Sequence, residues 1–264
     1  MQMQNLKPAW TACLAAGFLT AACWPAVSAS AQTPQQLLQQ SETTYKAMHS
    51  FSCFVFRKIT SGSPAKTKIT TFHVVFQAPD RLALTSSGFD LNDLAGADKV
   101  QTVEYLANGS HLLVCLPNKK QYFDSPSPDN AHPAFFVLAD AGSFAASVLL
   151  CQFGMKPLSD LAQDKSARLG LPEEINGVEV QVITGVLSRK AGVTTKYSLA
   201  LGTKDHFVYR FVSTAQGSMR GGKQSIVREL CSDIRVNPVL PPSVFLPPPG
   251  AAKVKPDQNY VGGQ

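Results

Sequence analysis

Ser50-Phe-Ser-Cys-Phe-Val-Phe-Arg-Lys-Ile-Thr60, the turn Ser61-Gly62-Ser63-Pro64, and Ile69-Thr-Thr-Phe-His-Val-Val-Phe76 read as an antiparallel β-hairpin. Side chains alternate along a strand, so Phe51, Cys53 and Val55 point one way and Ser52, Phe54 and Phe56 the other. The turn has the residues that tight reversals need. The returning arm is rich in β-branched and aromatic residues. Pro79-Asp80 interrupts it, and Arg81-Leu-Ala-Leu-Thr85 resumes with Leu82 and Leu84 on one face. Apolar groups on both faces of the first arm imply a sheet covered twice, or a sheet with one face kept for a ligand.

Upstream, Thr33-Pro-Gln-Gln36 opens a helix, with Thr as N-cap, Pro at the first helical position and Gln at the capping-box position. Leu37, Leu38, Tyr45 and Met48 share one side of that helix, which ends near His49 and should pack on the sheet. Further upstream stand one basic residue, Lys7, an apolar run from Leu14 to Val27 and the small-residue site Ala29-Ser30-Ala31. That order is a secretory signal with cleavage after Ala31. The run is too short for a membrane span and Trp24-Pro25 breaks it, which disfavours an anchor. Lipidation at Cys23 is disfavoured because Thr20 stands where such sites prefer Leu.

A mature chain of residues 32–264 keeps Cys53, Cys115, Cys151 and Cys231. In an oxidising compartment four cysteines fit two disulfides, in any of three pairings; buried free thiols are the other reading. None of them forms a Cys-x-x-Cys pair, so no zinc site is expected. The net charge of +6 is spread singly along the chain. Nucleic acid would require a basic stripe, and none is visible. A hydrophobic content of 44% supports a full core, in one β-rich domain over 32–254 followed by a disordered tail, 255–264.

Beyond the first hairpin, 88–99 reads as a loop with one helical turn. Val103–Ala107 and His111–Leu116 form a second hairpin, with Asn108-Gly109 as the central pair of a type I′ turn. Gln121–Phe123 follows, then a polar linker from Ser125 to His132. Pro133–Phe153 reads as one long, largely apolar helix. The second half is a meander of Val178–Leu187, Val193–Leu201, His206–Thr214 and Gln224–Val236, with Asn176-Gly177 turning into the first of these. A Pro-rich segment, Asn237–Gly250, closes the chain.

Catalytic chemistry is sparse. Gly217-Ser-Met-Arg-Gly-Gly-Lys223 has phosphate-loop spacing, but Gln224 replaces the magnesium-ligating hydroxyl and a strand follows where a helix is needed. It reads as a hairpin loop. His49, His73, His111, His132 and His206 are spread without ligand spacing, and Glu173-Glu174 reads as a solvated loop. The expectation is no enzyme, no metal and no cofactor.

In their order, the leader, the helix, the strand from Ser50 and the strand ending Pro79-Asp-Arg-Leu82 resemble the LolA-like proteins. That family includes the periplasmic lipoprotein carrier and the lipoprotein-binding domain of a sigma-factor regulator. Ala107-Asn-Gly-Ser-His-Leu-Leu-Val-Cys-Leu-Pro-Asn-Lys-Lys120 is similar to the family's Asp-Gly-Lys hairpin. His132-Pro-Ala-Phe-Phe-Val-Leu138 sits where the carrier has its central helix, and Phe245 with Pro248-Pro-Gly250 is similar to the closing signature. The resemblance spans roughly 37–254. It implies an α+β fold: a large curved antiparallel sheet, an incomplete barrel, with helices covering the concave face over a hydrophobic cavity for acyl chains.

By alternation and by that resemblance, Phe51, Val55, Leu82, Leu84, Phe135, Phe136 and Leu138 line the cavity. The implied protein is a periplasmic, monomeric, non-catalytic carrier whose partner is a lipid or an acylated lipoprotein. An envelope sensor or protein-interaction module of the same fold, contacting an envelope membrane protein, is the alternative. One departure stands out: the carrier has a lid-latching arginine just before the proline matching Pro79, and here that position is Ala78.

Overall fold

The computed structural model describes residues 32–62, 64–90, 101–125, 132–189, 193–216 and 224–255. The leader, the phosphate-loop-like stretch 217–223, the linker 126–131 and residues 256–264 of the tail lie outside the described residues, as does most of the 88–99 loop.

Helix α1 (Pro34–Ala47) begins as its sequence dictates. The Thr33 side chain accepts from Gln36 N while the Gln36 side chain reaches back to the Thr33 backbone, a complete capping box. Leu37, Leu38, Tyr45 and Met48 are all buried. Strands β1 (Ser50–Ser61) and β2 (Lys66–Gln77) then form the expected hairpin, with Phe51 opposite Phe76 and Val55 opposite Phe72. The meander continues through β3 (Arg81–Asp90), β4 (Gln101–Asn108), β5 (His111–Leu116) and β6 (Gln121–Ser125). In the β4–β5 turn Asn108 pairs with His111, so Gly109 and Ser110 are the central residues. Gly109 has φ 64 and no positive φ occurs at Asn108, which replaces the expected Asn-Gly pair. At Asn176-Gly177 both residues do have positive φ, 52 and 79, as a type I′ turn requires.

A second meander comprises β9 (Val178–Arg189), β10 (Val193–Gly202), β11 (Val208–Gln216) and β12 (Ser225–Val236), with short β7 (Arg168–Leu169) and β8 (Glu173–Ile175) on β9. Glu173 and Glu174 therefore lie in a strand, not a loop. Strand β12 pairs with β1 along almost its whole length. That joins the two meanders into one sheet of 13 strands among the described residues, in which β8 pairs with β9 and the other twelve, the last being β13 (Ala252–Lys253), are ordered β13-β6-β5-β4-β3-β2-β1-β12-β11-β10-β9-β7, open at both ends. The sheet is antiparallel except where β13 (Ala252–Lys253) runs parallel to β6. The expected α+β incomplete barrel is what the chain forms.

This order also explains the helical cover. After β6 the chain stands at one margin of the sheet and must reach β9 at the other, so the connection crosses a face. It does so as α2 (Pro133–Asp140), α3 (Phe144–Ser147), a 3-10 helix (Val148–Phe153) and α4 (Pro157–Ala162). The single long helix expected over 133–153 is thus broken. Gly142 takes φ 60, a left-handed conformation that favours glycine, and Ser143 caps the next helix by accepting from Ala146 N.

The opposite face carries a smaller cluster of Val75, Ala83, Leu106, Cys115 and Phe245. The Pro-rich segment lies over it, anchored by Phe245, which is 1% exposed.

Candidate functional site

The helix-covered face holds the residues that the sequence analysis expects to line a cavity. Phe51 and Val55 from β1, Leu82 and Leu84 from β3, and Leu138 from α2 are at most 1% exposed and belong to one packed cluster. Phe135 is partly buried against that cluster and meets Phe136 edge to face at 5.8 Å. Five of the seven residues are thus enclosed by the chain's own side chains, with the two phenylalanines at a margin. Tyr45, Phe51 and Phe207 form an aromatic triangle with centroids 5.1–5.8 Å apart. On the far side Phe144 stacks on Phe211 at 4.1 Å.

Two charged groups hold this cover, and neither drew attention in the sequence. Arg57 on β1 faces Glu229 on β12 in the strand register, both beneath the break between α2 and α3. Arg57 Nη1 donates to Ala141 O at 2.7 Å, gripping the end of α2, while its guanidinium lies 4.8 Å from the Phe72 ring centroid. Glu229, 1% exposed, accepts from Ser143 Oγ at 3.1 Å, Phe144 N at 3.1 Å and Ala145 N at 2.9 Å. Each group sits at the helix end whose dipole suits its sign. Burial pushes the Glu229 carboxyl above its ordinary value, against the pull of Ala145 N, Phe144 N, Ser143 and Arg57. No arginine precedes Pro79, but an arginine from the neighbouring strand grips the cover.

Further ties bind the cover to α1. Glu42, 3% exposed, accepts from Ser159 N at 2.8 Å and pairs with Lys46 at 2.6 Å. Gln152 Nε2 donates to the Tyr45 and Met48 carbonyls. A depression of about 450 Å³ lies on the polar side of α1, lined by Gln36, Gln39, Gln40, Thr43, Thr44 and His206. It is not the apolar site.

Cys53, Cys115, Cys151 and Cys231 are free and buried, so the expected disulfides are not formed. The physical reason is clear for Cys115, which lies in the cluster under Phe245 while the other three lie in the helix-covered core. The thiols act as small hydrophobes. Burial pushes those of Cys53, Cys115 and Cys151 up to about 12. Among the described residues no His, Cys, Asp and Glu cluster could hold a metal ion. No described helix is long and apolar enough to cross a membrane.

No family model and no curated protein matches the chain. Solved structures do. LprF from Mycobacterium bovis is similar at 15% identity, over 83% of this chain and 97% of that one, with a TM-score of 0.46. An uncharacterized conserved protein from Thermus thermophilus is similar at 10% identity over 84% and 99%, with a TM-score of 0.43. A LolA superfamily protein from Nitrosomonas europaea is similar at 13% identity over 81% and 98%, with a TM-score of 0.32. The architecture that the sequence resemblance implied, an open sheet with helices across one face, is the architecture this chain has.

Proposed function

We propose that the protein is an exported, non-catalytic periplasmic carrier that takes a lipid or a lipoprotein acyl chain between α2 and the sheet. The supporting observation is the joint at Ala141–Ala145, where buried Glu229 and half-buried Arg57, and not continuous apolar packing alone, hold a broken helix onto a greasy face. With the 3-10 helix and α4 tied to α1, α2 can lift at this joint while its apolar face remains ready for a guest. Phe135 and Phe136 form the entry, Phe51, Val55, Leu82 and Leu84 form the sheet surface against which the guest replaces α2, and Leu138 is the α2 side chain that lifts away and covers the guest.

The magnitudes allow this exchange. Each buried methylene contributes about 0.8 kcal/mol, so one long chain supplies on the order of 10 kcal/mol. Displacing α2 and ordering the guest offset much of that and keep the exchange reversible. Native mass spectrometry of protein recovered from the periplasm, with titration of a fluorescent fatty acid, tests the reading. Co-purified lipid and saturable binding are expected; absence of both would overturn it. In the sensor reading, cross-linking would instead retain one stable envelope protein, with no lipid.

A further inference from the structure

The face of the sheet away from the helices is covered over only part of its width. Across β2 to β6 the Pro-rich segment buries it under Phe245. Across β1 and β12 it is bare: Phe54 is 45% exposed, Phe56 44% and Leu230 36%. Alternation and register put these three side by side, since Phe56 pairs with Leu230 across the ladder. The next pair outward is Lys58 with Arg228, and Lys196 projects from the same face two strands on. Carboxylates do not balance them. Glu229 points to the other face, Glu173 is taken by Arg210 at 2.7 Å, and Asp233 by Arg235 at 2.9 Å. Among the described residues Lys58, Arg228 and Lys196 have no ion pair.

We infer that this bare strip docks on an anionic lipid bilayer. Two adjacent phenylalanines and a leucine, with the His73 ring stacked on Phe54 at 4.3 Å and Ser232 opposite Phe54, suit the boundary between headgroups and acyl chains, where apolar and polar groups meet. Unpaired cations beside them suit anionic headgroups, each worth about a fivefold change in binding near such a surface. The strip is independent of the helix-covered face. Loss of acyl-chain binding there leaves it intact.

The test is vesicle flotation of the full chain, comparing phosphatidylglycerol–phosphatidylcholine vesicles with phosphatidylcholine alone. Binding is expected only with phosphatidylglycerol, and it should weaken as salt rises. The double variants Phe54→Ser/Phe56→Ser and Lys58→Gln/Arg228→Gln should each lower it by about tenfold or more. Phe54, Phe56 and Arg228 are exposed and Lys58 is half-buried, so unfolding curves matching wild type accompany each variant to exclude misfolding. Equal binding to both vesicle types would overturn the inference, and so would indifference to both variants. Self-association that disappears in Phe54→Ser/Phe56→Ser, with no vesicle binding, would assign the strip to a second copy instead.

Discussion

Arg57 and Glu229 face each other across the β1–β12 ladder, and each holds one side of the same helical break. Arg57 satisfies a carbonyl at the end of α2, and Glu229 satisfies two N–H groups and a hydroxyl at the start of α3. The pair makes the sheet's closing strand register a condition for the cover to seat.

Glu229→Ala should strand three donors, buried on Ser143 and Ala145 and half-buried on Phe144. Each such orphan costs about 1–3 kcal/mol, reduced where water enters, so a loss of about 2–4 kcal/mol is expected in urea unfolding. Glu229→Gln keeps one acceptor and should lose less. Equal stability of Glu229→Ala and wild type would show that the joint is not held as described.

The sign of the pH effect is set by burial. Glu229 holds its proton more tightly in the folded chain than in the unfolded chain, where it titrates near the ordinary 4.5. Its contribution is therefore full below that value and is lost as pH rises through the folded value. Unfolding curves across that window should show wild type gaining on Glu229→Gln as pH falls. A gap that narrows with acid would contradict the assignment.

Thiol chemistry offers a direct check on the core. Cys53, Cys115, Cys151 and Cys231 are buried and free, so iodoacetamide at mildly alkaline pH should modify none in the folded chain. After unfolding without reductant all four should react. Fewer than four would reveal a disulfide.

Gly185 lies where Tyr197 and Asp164 close over β9, and Tyr197 donates to Asp164 Oδ2 at 3.0 Å. A methyl group there would meet both side chains. Gly185→Ala should cost about 1–3 kcal/mol by overpacking, read as a lowered melting temperature. Phe245→Ala should cost about 3–5 kcal/mol, because its ring fills the cluster under the Pro-rich segment.

The strands and α1 were legible because their signals are local. Period-two alternation, the Thr33–Gln36 box and the Asn176-Gly177 turn each act within a few residues. The broken cover was half legible: Gly142-Ser143 is a stop followed by a cap, but the apolar run around it masked the signal. The Phe245 anchor has no periodicity to betray it in a Pro-rich segment. Arg57 and Glu229 could not be paired from sequence at all. They meet only because β12 closes on β1, and alternation along a strand says nothing about which distant strand lies beside it. The four apolar strand residues Phe51, Val55, Leu82 and Leu84 were legible as buried, since burial follows alternation, whereas Phe135 and Phe136 are only partly buried; a guest's place among them does not follow from alternation.

A photoactivatable fatty acid, cross-linked to the chain and mapped by peptide mass spectrometry, tests the carrier reading most directly. Adducts are expected on β1, β3 and α2, around Phe51, Leu84 and Phe135, and they should increase when Glu229→Ala loosens the joint. Adducts confined to Phe54 and Phe56 on the opposite face, or none at all, would contradict it.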